Sequence, residues 1–434
     1  MLLKSDDPEF SIHIKKNPSN VLTSKVMRQG ILSGWFPKGG VQEYALFFKD
    51  TGTDNSFSTE QKNYLDLTQY ASTYFVFQSM TTFFNSALSL SETQKPFNHE
   101  IHIPMVQLRN MNTLYHLLNY FDITVSSENL LDNSIERMSL YNVVVKGTMP
   151  FNEFLMKTYL LFYLLHADLH ASDIVWMEGM IAKVTKIISE LKCEYFLRYW
   201  FKKNVLVKST TFSAVEEELN SNCSDGELDI RFGDTQYQRK TFIDGQINFN
   251  QSLLEIGHGD GYYFLPYAKK LKSSNKVIIG VDPDVKLAQN IQHKINDRKL
   301  TNASIVPDIA DVVLNEPHDI LCTEVIEHME LPAAKTLVKT LLRRDFSKLV
   351  ITTPNVEFNK FYKGLNGFRH DDHYFEFTRE EFKEFINECV RDLMPLENYF
   401  IMVKYHNIGD KVDNISVTQA AVITKHSMQE LETK

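Results

Sequence analysis

Glu324, Glu327 and His328 fall within five positions of the run TEVIEHM, and His373 follows 45 residues later in FRHDDHYFEF. Carboxylate oxygens and imidazole nitrogens are donors suited to Mg²⁺, Mn²⁺ or Zn²⁺. Positions i, i+3 and i+4 share one face of a helical turn, so both carboxylates and the imidazole can converge, with His373 closing the set from another loop. Taken singly, each residue has a duller reading, a solvated Glu or a hydrogen-bonded structural His. Three candidate ligands in five positions, at the end of an apolar run of strand length, are harder to dismiss.

A second cluster lies upstream. Residues 254–261 read LEIGHGDG, where Gly257 and Gly259 let the backbone turn tightly and approach a ligand, and Glu255 is the acid at the strand end. The next apolar run ends in GVD, placing Asp282 to accept hydrogen bonds from ribose hydroxyls. Asp308 ends the third such run. No Gly-Lys-Ser/Thr follows the glycines, so this is not a P-loop, and the dinucleotide spacing is imperfect. A metal beside such a loop points to an enzyme that activates a hydroxyl next to a bound cofactor.

These residues need a scaffold that gathers strand ends. The runs SLLEIG (252–257), KVIIGVD (276–282), ASIVPD (303–308), DILCTEV (319–325) and KLVITTP (348–354) alternate with helix-like stretches such as YFLPYAKKLK and VKLAQNIQHKI. That order predicts an α/β domain with a doubly wound, parallel sheet, whose ligands lie beyond the C-terminal strand ends. ISVTQAAVITK (415–425) is expected to add an edge strand.

Residues 1–208 read as an α+β unit. EYALFFKD (43–50) and YNVVVKG (141–147) have strand character, residues 70–89 read as a buried helix, and roughly 150–203 as a long helical stretch. This part shows no catalytic constellation. His166 and His170, at i and i+4 beside Asp168, read as a helix face. Residues 209–235 carry a cluster of acids among Ser, Asn and Gly, the composition of a linker, which leaves 236–434 as the second domain.

The length, 434 residues, suggests two or three domains, and 43% apolar residues suffice for real cores. The net charge of −9 excludes a protein that coats nucleic acid non-specifically; a nucleic-acid substrate would be gripped locally, at an end or through a metal. Cys193, Cys223, Cys322 and Cys389 form no CxxC pair and read as reduced thiols of a cytoplasmic protein. Neither a signal-peptide core nor a membrane span is expected.

The third motif is TTPNVEFN (352–359), in which Pro354 stops the fifth strand and Asn355 turns the chain. Thr378 before Arg379-Glu380-Glu381 reads as a helix N-cap. EVIEHME, TTPNVEFN and FRHDDHYFEFTREEF together resemble the 3′-terminal RNA ribose 2′-O-methyltransferases that end-modify small and repaired RNAs. EIGHGDG followed by GVD resembles the S-adenosylmethionine loop of class I methyltransferases. The resemblance implies a class I, Rossmann-like methyltransferase domain. It implies S-adenosylmethionine held by Glu255, Gly257, Gly259 and Asp282, with Asp308 near the adenine. It also implies Mg²⁺ or Mn²⁺ held by Glu324, Glu327, His328 and His373, with His370 competing for the last place. The chain departs from the family pattern at Glu255, where Asp is common, at His258, where Cys is common, and at Phe377, where Trp is usual. DPEFSIHIKKNP, YASTYFVFQSMTTFFNSALS and KPFNHEIHIPMVQLRN look like the N-terminal portion of the bacterial branch. That implies a unit that docks and activates an RNA-repair ligase within a polynucleotide kinase–phosphatase–ligase partner.

The reaction so implied is methyl transfer to the 2′-OH of an RNA 3′ end with a free 2′,3′-diol, with His328 or His370 taking the proton. Asn355 and Arg369 are expected RNA contacts, beside Lys360 and Lys363, although exposed cations are mostly just solvated. Two other readings remain: a class I methyltransferase for a small metabolite, and a ligase-activating scaffold whose methyltransferase domain is vestigial.

Overall fold

Among the described residues, the first 149 positions supply seven strands: β1 (Leu2–Ser5), β2 (Thr23–Met27), β3 (Gly30–Trp35), β4 (Glu43–Asp50), β5 (Phe97–Leu108), β6 (Thr124–Asn133) and β7 (Met138–Met149). In this computed structural model they form one antiparallel sheet in the order β2-β3-β4-β1-β5-β7-β6. The structure describes all residues except 28–29, 38–39, 51–72, 91–94, 109–110, 134–137, 170–177, 315, 394–398 and 428–434. The described residues divide into two units, Met1–Gly226 and Glu227–Lys434.

In the first unit the helix Phe151–Leu169 is buried along nearly its whole circumference, as its Leu, Phe and Tyr content demands. The helices Thr73–Phe84, Glu178–Glu190 and Tyr195–Val205 accompany it. His166 is buried and bonded through Nδ1 to Thr73 Oγ1 at 2.8 Å, so it serves packing; His170 lies outside the described residues.

The expected linker, 209–235, is folded instead. Ser209–Ser213 and Glu216–Asn220 are short helices that bury Phe212 and Leu219 while the three glutamates stay exposed. Arg198, fully buried, donates to the carbonyls of Cys193, Leu219, Ser221 and Asn222 at 2.5–3.0 Å and holds this stretch against its unit. Acid content alone misread it, because two apolar residues and one buried cation decide its placement. The remainder, from Glu227, belongs to the second unit, where β8 (Leu228–Asp229) joins the sheet.

That sheet continues with β9 (Ser252–Ile256), β10 (Ile278–Val281), β11 (Ala303–Val306), β12 (His318–Thr323), β13 (Phe346–Pro354), β14 (Tyr399–Val412) and β15 (Ile415–Ser427). The order is β11-β10-β9-β12-β13-β15-β14-β8. The strands β9 to β13 are mutually parallel, and β15, β14 and β8 are antiparallel additions. β15 is therefore internal, covered by β14, and is not the edge strand expected from sequence. Alternate residues face two cores: Leu254, Ile320 and Leu349 on one side, Leu253, Leu321 and Val350 on the other. The strand order reverses between β9 and β12, so loops on either side of that point diverge and leave a crevice at the C-terminal strand ends. Among the described residues no helix is long and apolar enough to cross a membrane, and the four cysteines are free thiols.

Candidate active site

The glycine turn leaves β9 beside the reversal point. Gly257 adopts φ +70°, and a Cβ there would lie 2.5 Å from Val325 Cγ2, so no other residue fits. Gly259 adopts φ +47° with open space around its missing Cβ, and its amide donates to Asp282 Oδ2 at 3.1 Å. Asp282 Oδ1 also accepts from the Asp284 amide at 3.0 Å, which fixes the carboxylate at the end of β10. Asp308 is exposed after β11 and caps the turn that follows by accepting from the Ala310 amide.

Glu255 is wholly buried, and neither carboxylate oxygen has a hydrogen-bond partner among the described residues. Burial, and secondarily Asp282, pushes it well above the usual carboxylate range. A buried acid with two unmet oxygens beside an open glycine turn suits a ligand that brings cationic or hydroxyl donors. S-adenosylmethionine carries both.

On the other side of the reversal, β12 ends at Thr323 and Glu324 turns the chain with φ +53°. A single 3₁₀ turn, Ile326–His328, follows. Glu327 and His328 project from it toward His373, and one ligand atom from each of the three lies within 4.8 Å of the others. The His328 and His373 rings meet edge to face at 4.7 Å. Glu327 is fully buried; Oε2 accepts from Thr353 Oγ1 at 3.1 Å, and Oε1 has no partner among the described residues. Burial, reinforced by Glu324, pushes Glu327 well above the usual carboxylate range. An orphaned carboxylate oxygen between two imidazoles fits a divalent cation.

Each imidazole is oriented from behind. His373 Nδ1 donates to Glu376 Oε1 at 2.7 Å, and His328 Nδ1 lies 3.0 Å from Asp372 Oδ2 at ion-pair distance, which leaves the Nε2 atoms for a ligand. Glu376 is itself held by the Arg369 amide at 2.8 Å and Asn359 Nδ2 at 2.7 Å. The backbone joins the two halves, since the Tyr374 amide donates to the Glu327 carbonyl at 2.8 Å.

Glu324 stands differently from the expectation of a single helical face. Its left-handed backbone and the 3₁₀ turn break that geometry. Its carboxylate pairs with Arg239 at 2.7 Å and accepts from Thr352 Oγ1 at 2.9 Å. Although burial opposes it, Glu324 holds the Arg239 guanidinium above its ordinary pKa. His370 is exposed, 5.1 Å from the His373 ring, on the flank of the cluster.

Arg369 donates from Nε to Asn359, from Nη1 to the Val417 carbonyl and from Nη2 to the Asn355 carbonyl, at 2.6–2.8 Å. It braces the loop that carries His373. Asn355 is buried and caps the turn after β13 through the Glu357 amide. Both expected RNA contacts thus stand in the frame of the site. Arg239, which carries no local pattern, went unread, and Asn359, although inside the TTPNVEFN run, was given no role. Glu376 was missed too; its signal was its place three residues after His373.

The model of the Hen1 N-terminal domain family matches residues 1–224. The small RNA 2′-O-methyltransferase of Xenopus tropicalis is 37% identical over 75 residues, 17% of this chain and 20% of that protein. The Caenorhabditis elegans protein of the same description is 41% identical over 71 residues, 16% of each chain. The matched stretches thus span a fifth or less of those relatives. A solved chain from the Pnkp1/Rnl/Hen1 RNA repair complex superposes with a TM-score of 0.81 at 24% identity, covering 98% of this chain and 100% of that one, which shows the same fold. The second unit has the class I methyltransferase fold, and with the N-terminal family model covering more than half of its length, the chain belongs to the Hen1 family.

Proposed function

We propose that this protein transfers the methyl group of S-adenosylmethionine to the 2′ oxygen of the 3′-terminal ribose of RNA, with a divalent cation, Mg²⁺ or Mn²⁺, in the site. The observation that carries the reading is the convergence of Glu327, His328 and His373 on the same sheet edge as the Gly257–Asp282 turn. The relatives from Xenopus tropicalis and Caenorhabditis elegans are small RNA 2′-O-methyltransferases, which supports the same chemistry.

Glu255, Gly257, Gly259 and Asp282 bind the methyl donor, with Asp282 on the ribose and Asp308 near the adenine. Glu327, His328 and His373 would hold the cation. Glu324, which accepts from Thr352 Oγ1 and pairs with Arg239, would complete the set. A bound divalent cation lowers the pKa of the ribose hydroxyl and fixes its direction. The 2′ oxygen attacks the methyl carbon in line, and the C–S electron pair returns to sulfur. His370, exposed beside the cluster, takes the hydroxyl proton. The braced loop Asn355–Glu376 holds the acceptor where attack is in line, and such positioning carries much of the acceleration.

We further propose that the first unit docks a kinase–phosphatase–ligase partner, as the RNA repair complex containing the Hen1 chain suggests. Transfer of labelled methyl to short RNA tests the central reading. Label is expected on ends with a 2′,3′-diol, to be lost with EDTA, and to be weak on 3′-deoxy or 3′-phosphate ends. Equal labelling of blocked ends would defeat it.

A further inference from the structure

The residue after His373 has no part in the chemistry just described, yet it is the most exposed large ring in that loop. Tyr374 is 62% exposed, while its neighbours turn inward: His373 and Glu376 are buried, and Phe375 and Phe377 pack on the core beneath β12 and β13. Its backbone is fixed by the hydrogen bond from its amide to the Glu327 carbonyl, so the ring stands at the rim of the cluster on a braced base. Phe368, 38% exposed, and His370 are further uncovered rings of the same loop. Single exposed aromatics are ordinary on a surface; three within seven positions of the loop that carries His373 are not.

We infer that Tyr374 is a stacking platform for the base of the 3′-terminal nucleotide, a recognition role that rests on the RNA-end reading of this site. An aromatic face next to a site that grips a terminal ribose is within reach of the base carried by that ribose. Unpaired bases stack on Tyr faces without regard to sequence. Such a platform serves binding, so it acts on KM and leaves kcat alone, and it accepts all four bases with purines held best.

The test compares methyl transfer by wild type, Tyr374→Ala and Tyr374→Phe on an RNA with an intact terminal base and on one whose terminal nucleotide is abasic. Tyr374→Ala is expected to raise KM roughly ten-fold on the intact RNA with kcat little changed, and Tyr374→Phe to behave as wild type. The abasic RNA should bind all three equally. Quenching of a terminal 2-aminopurine on binding should be seen with wild type and be absent with Tyr374→Ala. An unchanged KM for Tyr374→Ala, or the same penalty on abasic RNA, overturns the platform alone. Absence of transfer to any RNA by wild type overturns the function reading and the platform with it.

Discussion

Replacing Glu376 by Gln should weaken metal binding without touching a ligand. The buried Glu376 carboxylate accepts three hydrogen bonds: His373 Nδ1 and the Arg369 amide on Oε1, and Asn359 Nδ2 on Oε2. A glutamine can keep its carbonyl toward His373 and Arg369, but its NH₂ then faces the Asn359 NH₂. Turning Asn359 to relieve that contact removes the acceptor for Arg369 Nε, bonded at 2.7 Å. Either way one charge-assisted bond is lost, about 1.5–3 kcal/mol, and the His373 ring loses its anionic partner. Loss of such an outer partner typically costs about 10–100-fold in metal affinity. The assay is methyl transfer titrated with Mn²⁺, read as the half-saturating concentration. The account expects a shift of roughly 10–100-fold with most of kcat recovered at saturating metal. An unchanged half-saturation point would refute the claim that Glu376 orients a metal ligand.

Gly257→Ala should lower affinity for S-adenosylhomocysteine about ten-fold by calorimetry, because φ +70° and a 2.5 Å approach to Val325 force the turn open; unchanged affinity would separate the turn from the cofactor. Asp319 is buried at the start of β12, and burial lifts its pKa from 3.8 to about 6 although Lys348 opposes the shift. The folded state therefore holds this proton more tightly than the unfolded chain, and stability falls as pH rises from about 4 to 6. Asp319→Asn should raise stability in urea by ~1–3 kcal/mol at pH 8 and leave it unchanged at pH 4; equal effects at both pH values would contradict this. Arg198→Leu leaves four carbonyls without their donor, those of Cys193 and Leu219 buried, and should destabilise the first unit by roughly 3–5 kcal/mol in denaturant, where a loss under ~0.5 kcal/mol would show the 209–226 stretch held by something else.

The parallel strands were legible because each is a short apolar run with an acid, a glycine or a proline at or next to its end, and the structure places all five within a few residues of their runs. Thr378 is the cap its sequence announces, with a full capping box through Glu381. The pairing of Glu327 and His328 with His373 was readable from residue type together with place, since both runs follow strand ends at the same edge of the sheet. The place of Glu324 was not, because a left-handed residue at a strand end and a distant arginine leave no mark in spacing. Nor was β14 visible: its central segment mixes Lys, Tyr, His, Asn and Asp, and only pairing with β15 on one side and β8 on the other makes it a strand.

The most direct measurement is the position of Mn²⁺ by anomalous diffraction from crystals grown with S-adenosylhomocysteine. One strong peak is expected at about 2.1 Å from Glu327, His328 Nε2 and His373 Nε2, with Glu324 completing the set, beside the ligand sulfur. A peak bound elsewhere, or His373 turned away from an ion that Glu327 and His328 hold alone, would contradict it.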